Sequence, residues 1–358
     1  MLKILHVTDA YAAGVQVYID NLARMQTRAG NKVHLFALNR HDVVFQNLQT
    51  LPEAHVKILG TSNILNLLKL TRLVSQHCEE FDFIHLHSSR MGTLGRLLAI
   101  FHPKSVFLYT PHGYSFLRQD IKKLSRFFFK SIERILGYVP NATVLCVGFK
   151  EFDEAKKLKS KKLSILRALI DVPTEMLKSS STTENSLIKF GFLCRNTHAK
   201  DPNYFLEIAY RFRESAEFIW IGANREEFQH DQRANKVTFL GQLDHDEALI
   251  ELNKCNALLV TSLWEGLPLN VIEAQLMGLP VVIRDTISIP ELVIHERSCF
   301  VFHSVTEIEE IIEQIKFNNN HTNQMISFAK VLALNYFSST LNQKKWIVEY
   351  EMAKKRNN

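Results

Sequence analysis

The chain has 358 residues, of which 46% are hydrophobic and 22% charged, a composition typical of a globular protein with room for two domains. No apolar run approaches the ~20 residues that a membrane-spanning helix needs. The five cysteines are scattered and lack CxxC spacing, which argues against a disulfide framework and a zinc site. The first residues have a strand pattern rather than that of a signal peptide. We therefore expect a cytoplasmic protein.

The net charge of +6 is unevenly distributed. Residues 1–171 carry 24 Lys and Arg against 13 Asp and Glu, whereas residues 172–358 carry 19 against 24. This asymmetry indicates that the first half meets an anionic partner. Nucleic acid would suit the charge, but no helix-turn-helix, zinc-finger or RNA-binding motif accompanies it. A membrane surface or a lipid-phosphate acceptor fits better, and no nucleic-acid partner is expected.

The first half of the sequence alternates strand-like and helix-like segments. Such alternation predicts a parallel sheet covered by helices on both faces. In chain order the predicted strands are 3–8, 32–38, 83–87 and 106–110, and the predicted helices are 15–29, 64–76 and 93–101.

A polar stretch rich in Ser and Thr, at 173–186, interrupts this pattern and has linker composition. The alternation then restarts, with strands predicted at 187–193, 217–222, 237–240, 257–261 and 280–283 and a last helix at 341–355. We predict an α/β protein with two Rossmann-like, doubly wound domains. The expected division is a first domain at 1–171, a linker at 172–186, a second domain at 187–335 and a carboxyl-terminal helix, 336–358, that crosses back to the first domain.

The most informative stretch is an apolar strand at 257–260 that leads through a short polar loop into a helix. Pro268 lies at the predicted start of this helix and Gly278 at its end, the usual positions of these residue types. A helix that follows a strand in this way offers unpaired N–H groups and a positive dipole to an anion. Glu265 and Glu273 would repel a bare phosphate unless they bind hydroxyl groups. The predicted ligand carries both phosphate and hydroxyls, as a nucleotide-sugar does.

Glu265 and Glu273 are separated by seven residues. This spacing, with Gly266, Pro268 and Gly278 around it, resembles the E-x7-E signature of retaining glycosyltransferases of family 4, or group 1. The resemblance implies the GT-B fold, two Rossmann-like domains facing across a cleft. It also implies transfer of a hexose or hexosamine from a nucleotide-sugar, with a UDP-sugar favoured, to a lipid-linked or glycan acceptor in surface polysaccharide assembly (exopolysaccharide, capsule or O-antigen). The first domain would then be the acceptor side and the second would bind the nucleotide-sugar.

Two cations follow the first predicted strand of the second domain. The run from Cys194 to Asp201 is similar to the family's Gly-Arg-x4-Lys-Gly element, with Cys194 and Asp201 in place of its glycines. Arg195 could bind a diphosphate through its guanidinium fork and Lys200 as a point charge. By the same resemblance, Glu265 contacts hydroxyls of the transferred sugar and Glu273 those of the ribose. Without the motif around Glu265, Arg195 and Lys200 could instead be two solvated cations of a surface loop.

Further donor-binding residues follow from the resemblance. Main-chain groups around the start of the motif helix would face the phosphates, and the turn after the strand near Phe239 would bind the base. In the first domain, a loop after the first strand resembles the family's Gly-Gly loop, with its first glycine replaced by Ala13. The predicted donor-binding residues, besides Glu273, are Gly14, Gln242, Leu267, Pro268, Leu269 and Asn270.

Histidines mark the carboxyl ends of two strands in the first domain. His112, between Pro111 and Gly113, resembles the family histidine that contacts donor sugar and phosphate. His85 and His87 project to one face of a strand, but two histidines alone do not complete a metal site. The resemblance implies metal-independent transfer and no cofactor.

A basic stretch from Leu117 to Leu136 carries six Lys and Arg residues around three consecutive phenylalanines. This pattern is typical of a helix that lies on a membrane surface. A core-packed helix with a solvated basic face is the alternative. We predict peripheral contact with the inner face of the plasma membrane through this stretch.

Three other functions remain open on the sequence. A glycosidase is disfavoured, since eight helical positions separate Glu265 and Glu273 by ~12 Å along the axis, more than the ~5–9.5 Å of glycosidase carboxylates. Replacement of family glycines, as at Ala13 and Cys194, leaves room for a catalytically weak GT-B protein that acts as a binding partner in a polysaccharide assembly complex. A sugar-nucleotide 2-epimerase shares the same two-domain architecture.

Overall fold

The computed structural model describes residues 1–39, 55–170, 187–286, 289–317, 320–342 and 344–357. The chain forms two compact units, Met1–Asp171 together with Ser339–Asn358, and Val172–Ser338. The linker predicted at 172–186 lies outside the described residues.

The first unit contains a parallel sheet of seven strands flanked by helices. Its strands are β1 (Lys3–Thr8), β2 (Lys32–Asn39), β3 (His55–Thr61), β4 (Phe83–His87), β5 (Phe107–Thr110), β6 (Ala142–Cys146) and β7 (Leu163–Ile165). Its helices are α1 (Ala13–Arg28), α2 (Ile64–His77), α3 (Ser89–Phe101), α4 (Lys123–Leu136), α5 (Phe149–Lys157), and, at the carboxyl end, α11 (Ser339–Asn342) and α12 (Lys345–Asn357).

The sheet has the order β3-β2-β1-β4-β5-β6-β7, and the order reverses direction between β1 and β4. The central strands are buried along almost their whole length because helices cover both faces of the sheet. One face packs in a core of side chains such as Leu5, Ile84, Leu86 and Phe107. The other face carries His6 on β1 opposite His85 on β4, which is an unusual content for a buried sheet face.

The second unit repeats this architecture with six parallel strands in the order β10-β9-β8-β11-β12-β13. Its strands are β8 (Ile188–Leu193), β9 (Ala216–Ile221), β10 (Val237–Phe239), β11 (Ala257–Val260), β12 (Val281–Arg284) and β13 (Phe300–Phe302). Its helices are α6 (Pro202–Arg211), α7 (His245–Asn253), α8 (Leu269–Met277), α9 (Ile308–Lys316) and α10 (Asn320–Phe337).

Aromatic side chains fill the core of the second unit. Phe192 and Phe205 stack with ring centroids 4.1 Å apart, and the edge of Trp220 meets both rings. These rings fix helix α6 on the sheet, and so place the loop between β8 and α6 at the carboxyl end of the sheet.

The α/β class and the two Rossmann-like domains are confirmed. The strand predicted at 83–87 has those bounds in the structure, while α3 begins four residues earlier than predicted because the Ser88 hydroxyl accepts a hydrogen bond from the Met91 N–H. The basic stretch from Leu117 to Leu136 is helical only from Lys123 onward. Leu117 instead ends a short 3-10 turn.

Within the described ranges, no helix has both the length and the apolar character needed to cross a membrane.

Candidate functional site

The loop between β8 and α6 is held against the end of β11 by main-chain and side-chain hydrogen bonds. The Thr261 hydroxyl donates to the carbonyl of Lys200 at 2.8 Å, and the Leu263 N–H donates to the carbonyl of Ala199 at 2.8 Å. Asp201 caps α6 and accepts from Arg284 at 2.7 Å. This bracing fixes the main chain on which Lys200 stands.

Lys200 and Glu265 form an ion pair at this end of the sheet. The Lys200 Nζ lies 2.5 Å from Glu265 Oε1, and the Ser262 hydroxyl donates to the same oxygen at 2.7 Å. Their side chains are only 23% and 11% exposed. Burial alone would lower the pKa of Lys200, but the Glu265 carboxylate raises it above its ordinary value, so the ammonium stays charged.

Arg195 lies directly after Cys194 in the loop between β8 and α6 that also carries Lys200. Burial raises the pKa of the Cys194 thiol to about 12, and the charges of Lys200, Glu265 and Arg195 modify that rise. The structure therefore brings two of the predicted site residues, Lys200 and Glu265, into contact and places Arg195 on the same loop as Lys200. The thiol itself is an unreactive packing group at neutral pH.

Helix α8 begins where the sequence predicts an anion site. Pro268 precedes its first residue, and the helix has no side-chain cap. The Asn270 side chain donates to the carbonyl of Leu193 at 3.0 Å, which ties the start of α8 to the end of β8. Leu267 is half-buried, and Leu269 is the first residue of α8. The main chain of both residues therefore lies at the helix start, where the first N–H groups have no partner within the helix.

Glu273 is the most unusual charge in this unit. Its side chain is almost fully buried, and its Oε1 accepts no hydrogen bond from any described residue. Burial raises the pKa of Glu273, opposed by His245, whose Nε2 lies 3.3 Å from that oxygen. Burying a carboxylate oxygen that lacks a hydrogen-bond donor costs free energy, and a hydroxyl ligand would supply that donor.

The turn after β10 approaches the same end of the sheet. The Gly222 N–H donates to the carbonyl of Gly241 at 2.8 Å, and both glycines have positive φ. A Cβ on Gly222 would lie 2.6 Å from the carbonyl oxygen of Cys194, so only glycine fits between these loops. Gln242 directly follows this turn and is exposed.

In the first unit, His112 occupies a strained turn at the end of β5. Its φ is 55°, a left-handed conformation, and its Nε2 lies 3.0 Å from Nδ1 of His87. The edge of the Tyr18 ring packs on it, and burial lowers the pKa of His112 to about 3. His112 is therefore a neutral imidazole at physiological pH.

The resemblance implies that Gly14 gives the loop after β1 its conformational freedom, but the left-handed backbone conformation lies one residue earlier. Ala13, the first residue of α1, has a φ of 49°, while Gly14 is exposed and does not have a positive φ. The conformational freedom of glycine is thus required at the position where the family glycine is replaced by alanine.

Two family models match this chain. The model for glycosyl transferases group 1 matches residues 188–317, and the model for glycosyltransferase family 4 matches residues 12–165. The chain belongs to the GT-B glycosyltransferases of group 1 and family 4.

Two relatives of this glycosyltransferase are bacterial proteins. An uncharacterized 41.2 kDa protein in the cps region of Klebsiella pneumoniae is 24% identical over 309 residues, which cover 82% of this chain and 83% of the relative. The UDP-Gal:alpha-D-GlcNAc-diphosphoundecaprenol alpha-1,3-galactosyltransferase of Escherichia coli is 24% identical over 242 residues, 62% of this chain and 61% of that enzyme.

Solved structures agree on the fold of the glycosyltransferase. Anabaena HepE in complex with UDP and glucose superposes with a TM-score of 0.77 at 18% identity and covers 99% of this chain and 100% of that one. Sucrose-phosphate synthase from Thermosynechococcus elongatus gives a TM-score of 0.78 at 16% identity, with the same coverage. These likenesses establish the GT-B fold.

Sequence reasoning about the glycosyltransferase missed two histidines. His245, the neighbour of Glu273, has no motif of its own, and only its place three residues after Gln242 could have drawn attention to it. His6 lies beside His85 and His87, with one ring nitrogen of each within 4.8 Å of the others. The strand period of β1 could have identified His6, because it shares a sheet face with the two histidines of β4.

Proposed function

We propose that this glycosyltransferase moves a hexose or hexosamine, with retention at the anomeric carbon, from a UDP-sugar to a lipid-linked or glycan acceptor in surface polysaccharide assembly. The observation that carries the proposal is the buried Glu273 carboxylate one turn into α8, together with the cluster of Arg195, Lys200 and Glu265 at the same end of the sheet.

The nucleoside part of the donor is assigned to Glu273 and the turn at Gln242. The Oε1 of Glu273 is buried and accepts no hydrogen bond within the described part of the chain. Two neighbouring ribose hydroxyls would donate to this carboxylate and offset the cost of its burial. The exposed Gln242 directly follows Gly241, whose carbonyl accepts the Gly222 N–H, and offers main-chain groups to a base.

The diphosphate is assigned to the cations and the start of α8. Arg195 and Lys200 can neutralise the charge that develops on the departing nucleoside diphosphate. The N–H groups of Leu269 and Asn270 point from the uncapped end of α8, with Leu267 and Pro268 shaping the approach. Glu265 would exchange part of its contact with Lys200 for hydroxyls of the transferred sugar.

The transfer step itself needs little from the protein beyond position and charge. The acceptor oxygen attacks the anomeric carbon on the face from which the diphosphate departs, the bond from that carbon to the diphosphate oxygen breaks, and a phosphate oxygen of the leaving group takes the acceptor proton. Lys200 and Arg195 stabilise the leaving group, and the fixed loop at Ala199 aligns it. The protein side chains provide the cationic charge that this step requires, so we propose metal-independent transfer without a cofactor.

The choice of UDP rests on relatives. The similar Escherichia coli enzyme is named for UDP-Gal and a diphosphoundecaprenol-linked acceptor, and HepE is described in complexes with UDP and UDP-glucose. The acceptor of this chain would accordingly be a lipid carrying a diphosphate-linked sugar.

Helix α4 is the surface that we assign to the membrane. Leu124, Phe127, Phe128 and Ile135 are 60–79% exposed, and Lys122, Lys123, Lys130 and Arg134 lie among them. The inner side of the helix is anchored by Glu133, which pairs with Arg96 at 2.7 Å. An apolar ridge flanked by basic residues fits an anionic lipid surface, which supports peripheral attachment at the inner face of the plasma membrane.

A thermal-shift panel with UDP, GDP, ADP and their sugar conjugates tests the donor site. A ligand that binds only the folded protein at 100 times its Kd adds about 2.7 kcal/mol to the free energy of unfolding. We expect uridine nucleotides alone to raise Tm, and the shift to be much smaller in Glu273→Gln. No shift with any nucleotide would favour a non-catalytic binding partner, and formation of a free epimeric nucleotide-sugar would favour a 2-epimerase.

A further inference from the structure

Four side chains form a continuous row of hydrogen bonds through the interior of the first unit. Gln26 Oε1 lies 2.8 Å from His6 Nε2, His6 Nδ1 lies 2.9 Å from His87 Nε2, and His87 Nδ1 lies 3.0 Å from His112 Nε2. We call Gln26, His6, His87 and His112 the histidine row. Gln26, His6 and His87 are fully buried, and His112 ends the row at a half-buried turn.

The rings of the row are all neutral. Burial lowers the pKa of His6 to about 4, that of His112 to about 3, and that of His87 well below its ordinary value. The titratable groups around His112 are His87 from β4, Tyr18 from α1 and Glu151 from α5, whose carboxylate accepts the Gly113 N–H. None of them supplies a partner that would keep a proton on a second nitrogen of the ring.

A neutral imidazole has one N–H and one bare nitrogen, so each link of the row fixes the next. With the Gln26 amide oriented so that its oxygen faces His6, that oxygen can only accept, and His6 then carries its proton on Nε2. The bare Nδ1 of His6 then requires a proton on Nε2 of His87, and the bare Nδ1 of His87 requires one on Nε2 of His112. The proton positions of three rings follow from one amide oxygen.

We propose that Gln26, His6 and His87 are positioning residues that hold His112 in its Nε2–H tautomer, so that its Nδ1 is presented as a hydrogen-bond acceptor for a sugar hydroxyl. A bare ring nitrogen accepts from a hydroxyl and does not donate to a phosphate. His112 therefore selects a hydroxyl rather than adding positive charge at the diphosphate. The proposal rests on the proposed function only where it names the sugar.

The same cluster could also hold a metal ion, since His6, His85 and His87 each offer a nitrogen within 4.8 Å of the others. The hydrogen bonds of the histidine row already occupy both ring nitrogens of His6 and of His87. His85 uses both of its own, Nδ1 with the Tyr350 hydroxyl and Nε2 with the Thr110 hydroxyl, each at 2.7 Å. His85 is thus a buried neighbour of the row but not a link in it, and it provides a matched control.

Nitrogen NMR of the full-length protein labelled with ¹⁵N-histidine tests the proposal without an activity assay. The signal of His112, assigned by its loss in His112→Gln, should show a protonated Nε2 and a bare Nδ1 from pH 5 to 8. Gln26→Leu removes the terminal acceptor and should move the His112 proton towards Nδ1, whereas His85→Gln should leave the His112 tautomer unchanged. A wild-type Nδ1–H tautomer, an unchanged tautomer in Gln26→Leu, or a joint shift of the His6, His85 and His87 signals on adding Zn²⁺ would overturn the proposal.

Kinetics add a readout that separates positioning from folding. In Gln26→Leu we expect the KM for the sugar donor to rise about tenfold, because a hydroxyl meets a donor instead of an acceptor, while the Kd of UDP stays the same. An equal rise in the KM for the sugar donor and in the Kd of UDP would show a structural role and contradict the proposal. If the wild type transfers no sugar at all, the proposed function fails, while the tautomer measurement still decides whether the row acts on His112.

Discussion

The Lys200 ammonium lies 2.5 Å from the Glu265 carboxylate, and both are mostly withdrawn from solvent. Each group neutralises the other, so a diphosphate that approaches Lys200 competes with an internal anion. A sugar hydroxyl that draws Glu265 away would leave Lys200 to the diphosphate. The pair thereby links recognition of the sugar to stabilisation of the leaving group.

Lys200→Met should lower kcat by about 10²–10³-fold while weakening UDP binding much less, because the charge of Lys200 matters most as the leaving group departs. Steady-state kinetics with the donor and calorimetric titration of UDP measure the two effects. Lys189→Met is the matched control, since Lys189 forms an ion pair with Glu217 at 3.4 Å in the same unit but at an exposed site. A large loss of UDP affinity with an unchanged kcat in Lys200→Met would contradict this role.

Glu273→Gln should separate stability from binding. The loss of a charged acceptor should weaken UDP binding by roughly 10–100-fold. The variant should be at least as stable as the wild type at pH 7, because burial raises the pKa of Glu273 and the charged form is the costly one. Denaturant unfolding and calorimetric titration report the two quantities.

The stability difference should also depend on pH with a definite sign. The folded-state pKa of Glu273 lies above its ordinary value of 4.5, so the stability associated with its proton is present below pH 4.5 and is lost as the pH rises through the folded pKa. The advantage of Glu273→Gln should therefore grow from pH 4.5 upward. An advantage that shrinks with rising pH would show that the carboxylate is stabilised by partners other than those seen.

A double change of Phe127 and Phe128 to Ser should weaken binding to vesicles of phosphatidylethanolamine and phosphatidylglycerol by at least about tenfold, since each exposed ring would lose its apolar contact. Tm should not fall, because neither ring is buried. Phe317→Ser removes an equally exposed ring from the second unit and should leave vesicle binding unchanged. Co-sedimentation at low and high salt measures both, and unaltered binding of the double variant would exclude α4 as the membrane surface.

Ala13→Gly should stabilise the protein by about 1 kcal/mol, because glycine adopts the left-handed φ of 49° without the Cβ clash. Ala12 is the neighbouring control, since its φ of −166° suits any residue. Ala12→Gly should destabilise slightly through the greater entropy of the unfolded chain. Shifts of the same sign in both variants, measured by denaturant unfolding, would be inconsistent with strain at Ala13.

Much of the fold was predictable from local pattern. Most strands are mainly apolar segments, and such segments alternating with helical ones predict a parallel sheet. The predicted strand bounds at 3–8 and 83–87 match the structure. Short or weakly apolar strands such as β7 (Leu163–Ile165) and β13 (Phe300–Phe302) were not predicted. Three residues give too few alternations to show a period, and β10, which is equally short, was predicted only as part of the longer apolar run 237–240.

The candidate site shows a similar limit. Glu265, Lys200 and Arg195 could be predicted to act together because strand ends of a parallel sheet meet at one edge. The approach of His245 to Glu273 and the links from Gln26 to His112 could not, because they join residues distant in sequence through side-chain packing that no spacing records. The strain at Ala13 was likewise invisible, since alanine gives no sign of a left-handed φ.

The central claim is retaining transfer from a UDP-sugar, and its most direct measurement is incorporation of label from a panel of radiolabelled UDP-hexoses and UDP-hexosamines into a lipid acceptor carrying a diphosphate-linked N-acetylglucosamine. We expect that one donor labels the lipid, that NMR of the product shows the anomeric configuration of the donor, and that Lys200→Met loses most of the rate while Lys189→Met keeps it. A product of inverted configuration, or no incorporation from any uridine donor while another nucleotide-sugar is used, would contradict it.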